Sequence, residues 1–121
     1  MYVETDFLLA LLKDDDWLQE PAKNVYREHR EELWTREYTL IELMLVAYRE
    51  DRNVLKTVAG ASKLVEIRGE ESLMKEAASY VTENGLTPMD AVHLASSGED
   101  KILSSEKEYQ DLSEVEKLDE K

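Results

Sequence analysis

Apolar residues fall in short blocks separated by runs of charge, and the spacing within the blocks changes along the chain. Tyr2-Val3-Glu4-Thr5 reads as a short strand. Phe7-Leu8-Leu9-Ala10-Leu11-Leu12 follows at once and is apolar on all sides, as a buried helix is. Asp14-Asp15-Asp16 predicts the start of a second helix, with carboxylates at the positive end of its dipole. Trp17, Leu18, Val25 and Tyr26 supply its apolar stripe as far as Arg30, and Glu32 to Arg36 has the composition of a strand. A strongly apolar helix is expected from Thr39 through Leu43, Leu45, Val46 and Tyr48, then one capped by Asn53 that runs through Leu55, Val58 and Leu64. Val65-Glu66-Ile67 is a brief strand ending at Gly69, and the helix from Glu71 to Glu83 stops at Asn84-Gly85. Thr87-Pro88-Met89-Asp90 opens the next helix, which ends near Ser97-Gly98. Lys101 to Ser104 reads as a strand, Glu106 to Leu112 as a short helix and Val115 to Leu118 as a last strand. Strands alternating with helices predict an α/β fold. The expected form is a three-layer α/β/α sandwich, with helices on both faces of a mostly parallel sheet of four to five short strands. Residues 1–121 are expected to form one domain.

Composition narrows the chemistry. With 42% hydrophobic and 36% charged residues, the chain can bury a core beneath a heavily ionised surface. It has no cysteine, which removes disulfides, thiolate zinc sites and cysteine nucleophiles together. Two histidines, His29 and His93, are too few for a histidine cage. The first residues carry acid where a signal peptide carries base, and no apolar run approaches the ~20 residues that span a bilayer. A cytoplasmic protein with no membrane partner is expected. The net charge of −13 tells against broad phosphate binding through a basic patch. It leaves room for a cation-bridged site and for a basic protein partner.

The informative acids are those at strand ends and in the first turns of the helices that follow, because open parallel sheets bind ligands beyond their carboxyl edge. Glu4, Asp6, Glu42, Asp90 and Glu106 occupy such places. Two have a structural alternative: Thr39-x-x-Glu42 and Thr87-Pro88-x-Asp90 both resemble capping boxes, although Asp is a weaker partner there than Glu or Gln. Taken together the acids favour a hard divalent cation, which prefers oxygen ligands and leaves positions for water and phosphate. Such an ion activates water and offsets charge on a phosphodiester, and it needs neither cysteine nor histidine. Carboxylates converging without one would repel each other. His93 lies one turn after Asp90 within reach of a general-base role, but its apolar neighbours favour helix packing; His29, among charges, is expected at the surface. Trp17 and Trp34 can stack on bases, yet in so small a domain core positions are the commoner fate. Lys13 and Lys107 are expected near the acids, either steering phosphate or as ordinary surface lysines.

The stretch from Tyr2 to Leu12 resembles the opening of PIN domains: an acid, Thr, then Asn or Asp before an apolar helix. Leu40-Ile41-Glu42-Leu43 is similar to their second acidic site, and Thr87-Pro88-Met89-Asp90-Ala91-Val92-His93-Leu94-Ala95 to their third, the most specific piece. Ile102-Leu103-Ser104-Ser105-Glu106-Lys107 resembles the fourth. The resemblance implies a Mg²⁺- or Mn²⁺-dependent endoribonuclease, in small prokaryotic and archaeal members commonly the toxin of a VapBC-type pair. Such a toxin is a homodimer silenced by an antitoxin that enters the acidic site. Carried over residue by residue, Glu4, Glu42, Asp90 and Glu106 form the catalytic and metal-binding set, Asp6 a further metal ligand, and Thr5 and Ser104 supporting groups. The family usually has Asp at the positions of Glu4 and Glu106. The extra methylene shifts each carboxylate on the scale that matters for positioned chemistry. Either the geometry adapts, with Asp6 able to replace Glu4, or the domain is a degenerate binding module without nuclease activity. A phosphotransfer domain using Asp6 ranks third.

Overall fold

The computed structural model describes residues 1–14, 16–104 and 115–117. Its elements are α1 (Thr5–Leu12), α2 (Gln19–His29), a 3₁₀ turn at Arg30–Glu32, β1 (Trp34–Arg36), α3 (Glu37–Arg49), α4 (Val54–Leu64), β2 (Glu66–Arg68), α5 (Glu71–Asn84), α6 (Pro88–Ser97), β3 (Ile102–Ser104) and β4 (Val115–Lys117). Local signals set several boundaries. The Asn53 side chain accepts the Lys56 N–H at 2.9 Å and starts α4. Gly85, at φ 73°, ends α5 in the left-handed conformation, with its N–H on the Val81 carbonyl at 3.2 Å and Leu86 buried just after it.

The Asp14–Asp16 run does not open α2, which begins at Gln19. Asp16 instead accepts the Leu18 N–H at 2.9 Å and shapes the approach to the helix. Thr39 lies inside α3, which begins two residues earlier, at Glu37. The expected helix from Glu106 to Leu112 falls outside the described residues.

The helix α3 is central. Leu40, Leu43, Met44 and Ala47 repeat at helical spacing and are all buried, and the helix packs against α1, α4, α5 and α6. The α1 helix, apolar on nearly all sides as its sequence predicts, fits between α2, α3 and α4. Polar links tie α1 to α3 at both ends. Thr5 Oγ1 donates to Glu42 Oε1 at 3.1 Å, and Lys13 Nζ meets Glu50 at 2.9 Å. Tyr2 OH, just before the helix, lies 3.3 Å from Thr39 Oγ1. Each link spans 37 residues, so the two helices run side by side in one direction.

The strands are parallel, as expected, but the described residues form two two-stranded pairs, β1–β2 and β3–β4, in place of one sheet of four to five strands. The N-terminal segment adds to the first pair through a parallel bridge between Tyr2 and Trp34. Val3 and Thr35 turn toward the helices, and the Thr35 hydroxyl is satisfied by the Val3 carbonyl at 2.8 Å. The opposite face is open, with Tyr2, Arg36, Glu66 and Arg68 exposed and Trp34 half-buried. Among the described residues, no helix covers this face of β1 and β2 as the expected sandwich would. The physical reason lies in the residues: parallel strands buried on both sides are rich in Val, Ile and Leu, whereas this face carries aromatic and charged groups.

Candidate functional site

The acids sit where the chain enters its helices. Glu4 is the N-cap residue of α1, held in extended conformation at φ −94° and ψ 173°, and its side chain makes no capping bond. The carboxylate is exposed beyond the end of the first extended segment, next to the free N–H groups of α1. Glu42 lies on the second turn of α3, exposed, with one oxygen accepting the Thr5 hydroxyl. Asp90 is the third residue of α6 and half-buried. Since α3 packs against both α1 and α6, it is the element shared by Glu4, Glu42 and Asp90.

Of the two capping-box alternatives, the one at Thr39 fails. Thr39 is within the helix and its hydroxyl faces Tyr2, so it cannot cap the helix that carries Glu42. Thr87 does occupy the N-cap position of α6, with Pro88 next, but its side chain makes no capping bond.

Thr5 and Glu42 are directly linked through their side chains. Asp6 faces another way as well, lining a shallow groove between α1 and α2 with Phe7, Ala10, Pro21 and Val25. Ser104 lies on β3, and Glu106 falls outside the described residues. Among the described residues no three Asp, Glu or His side chains approach closely enough to hold a metal ion. The donors that are present, all oxygen, fit the chemistry of Mg²⁺ or Mn²⁺, which often take one or two carboxylates and complete their shell with water and phosphate. A closed protein cage is not what these residues build.

Three sequence-based expectations need correction. Lys13 is at the far end of α1, paired with Glu50, and does not steer phosphate at the acids; Lys107 lies outside the described residues. His93 is exposed and does not pack between helices, because the apolar face of α6 turns Ala91, Leu94 and Ala95 inward instead. Trp17 is 85% exposed in the turn before α2 and so is no core residue, while Trp34 is half-buried on the open sheet face. His29 does meet Glu32 at 3.0 Å, among charges as expected.

Glu37 escaped the sequence reading. It is the first residue of α3 and only 9% exposed, and its Oε2 accepts the backbone N–H of Glu70 at 2.9 Å. That bond, with help from Arg36 beside it, outweighs burial and holds the carboxyl below its ordinary range. Glu37 thus fastens the turn after β2 to the start of the helix that carries Glu42. The available signal was Gly69, whose φ of 97° admits a close approach that a side chain would block.

Among curated proteins and solved structures, none matches the chain. The profile of the PIN domain matches residues 1–115, a span that takes in Glu4, Asp6, Glu42, Asp90 and Glu106, and the chain belongs to the PIN domain family.

Proposed function

We propose that this chain is a divalent-cation-dependent endoribonuclease whose acids are Glu4, Glu42, Asp90 and Glu106, with Asp6 as a further metal ligand. PIN domains are generally nucleases and generally use divalent metals. The observation that carries the reading is the Thr5–Glu42 hydrogen bond. It draws together the two helices that bear the first two acids of the family pattern and aims one carboxylate. A bound Mg²⁺ or Mn²⁺ supplies a water of lowered pKa and positive charge against the phosphodiester. Glu4, Glu42 and Asp90 would hold that ion, one or two of them directly and the rest through its water shell, and Thr5 restricts the rotamers of Glu42. By the resemblance, Ser104 would take the support role before the fourth acid. The four-part resemblance favours a cytoplasmic toxin of a VapBC-type pair, working as a homodimer and silenced by an antitoxin protein at the acidic site.

The test is cleavage of a panel of RNAs by the purified protein with Mg²⁺ or Mn²⁺, beside a chelator control and Asp90→Asn. Cleavage is expected to require the metal and to fall about a hundredfold or more in the variant, the scale of losing one transition-state contact. Cleavage that survives both controls would sink the proposal. The second reading, a binding module without nuclease activity, is favoured by Glu in place of Asp at positions 4 and 106 and by the net charge of −13. It predicts neither cleavage nor metal binding by the wild-type protein.

A further inference from the structure

The segment that carries Glu4 is tied to the rest of the fold by side-chain hydroxyls. Val3 donates its N–H to the Trp34 carbonyl at 2.9 Å, and its own carbonyl accepts the Thr35 hydroxyl at 2.8 Å. The backbone just before Glu4 is thereby fixed on β1. Just after it, Thr5 Oγ1 donates to Glu42 on α3 at 3.1 Å. Two positions before it, the Tyr2 hydroxyl crosses to Thr39 Oγ1 on α3 at 3.3 Å. Thr39 and Glu42 are three residues apart and so are neighbours along one side of that helix. Thr39 is only 2% exposed, while the Tyr2 ring is set by an edge-to-face contact with Trp34, centroids 5.1 Å apart. Glu4 thus stands between two hydroxyl links to α3, and its own side chain is exposed and makes no capping bond. Where its carboxylate can go is set by where its backbone is held.

We propose that Tyr2 and Thr39 are positioning residues, whose hydroxyl bond holds the Glu4 carboxylate at the spacing from Glu42 that lets both serve one divalent cation. The inference rests on the ribonuclease reading above. Two carboxylates brought together repel until the ion arrives, and an exposed glutamate has the rotamer freedom to swing away. Glu4 also has one more rotatable bond than an aspartate would have, so the placement of its backbone matters more. The Thr5 bond alone fixes one point of contact and leaves α3 free to pivot about it. A second link, one turn back and about 4.5 Å along the helix axis, fixes the angle as well.

The test is Mn²⁺ binding to the purified protein by titration calorimetry, with RNA cleavage assayed beside it over a range of Mn²⁺ concentrations. Tyr2→Phe keeps the ring on Trp34 and removes only the hydroxyl. Thr39→Val removes the other hydroxyl and leaves the Tyr2 oxygen to solvent. Each is expected to weaken Mn²⁺ binding about threefold to tenfold, the worth of one hydrogen bond between neutral groups. The Mn²⁺ needed for half-maximal cleavage should rise by the same factor, with cleavage at saturating Mn²⁺ within about twofold of wild type. Thr39→Ser keeps a hydroxyl and should bind as the wild type does. If Tyr2 acts through Glu4, then Tyr2→Phe should change Mn²⁺ binding by less than about twofold in a Glu4→Gln background, since the double-mutant cycle isolates their coupling. A merely structural loss would carry through undiminished. Thermal melts followed by circular dichroism check that the variants fold. Wild-type affinity in both Tyr2→Phe and Thr39→Val overturns the positioning role alone, as does an equal loss from Tyr2→Phe with and without Glu4. A wild-type protein that neither binds Mn²⁺ nor cleaves RNA refutes the ribonuclease reading with it.

Discussion

A carboxylate buried at the edge of a small sheet is destabilising unless its oxygens are met, and both oxygens of Glu37 are: Oε2 by the Glu70 N–H at 2.9 Å, Oε1 by Arg36 at 3.5 Å. Removing the side chain takes away a part-buried hydrogen bond to a charged group, so Glu37→Ala should lower stability by about 1–3 kcal/mol. The sign of the pH dependence follows from the lowered folded-state pKa. The stabilisation is complete above the ordinary value of 4.5 and is lost as pH falls through the lower folded value. Glu37→Gln should therefore flatten the acid limb of the stability curve, read from urea melts between neutral pH and the acid transition. Gly69 makes the same point from the other side. A Cβ there would land on Glu37 Oε2, whereas a Cβ at Gly85 meets nothing within 4 Å. Both positions have positive φ, so each alanine variant should lose roughly 1–2 kcal/mol to strain, and Gly69→Ala more because a buried carboxylate must also move. Equal melting temperatures for the two variants would show that the contact is not felt.

The helices and most of their boundaries were legible in the sequence because their signals are local: Asn53, Asn84-Gly85, Pro88 and Gly98 each act within one turn of the ends they mark. Glu37 and the open face were not, because both depend on partners more than thirty residues away. The pairing of α1 with α3 is another such long-range feature, and its two ends do different work. Thr5 and Lys13 are eight positions apart, as are Glu42 and Glu50, about 12 Å along each helix. Thr5→Val frees Glu42 and should reduce RNA cleavage about tenfold while changing stability by no more than about 1 kcal/mol. Lys13→Met breaks a partly exposed pair at the far end, and should cost less than about 1 kcal/mol and leave cleavage unchanged. If Lys13→Met impairs cleavage as much as Thr5→Val does, the far end is part of the site after all.

Across the whole molecule, the charge of −13 sets the terms on which RNA is met. Acids at the positions of the family pattern were legible through resemblance. Their geometry was not, since a periodic pattern places Glu42 on a helix but does not reveal that Thr5 holds it. The equal offset along α1 and α3 also bears on inheritance. The number 37 depends only on how much chain lies between the two helices, so relatives can lengthen or shorten that stretch and shift every link together. An insertion of one residue inside α1 is different, because each residue turns the helix by about 100° and would carry one end out of register with its partner. Length changes among descendants of this sequence should therefore accumulate between residues 14 and 33 and spare both helices.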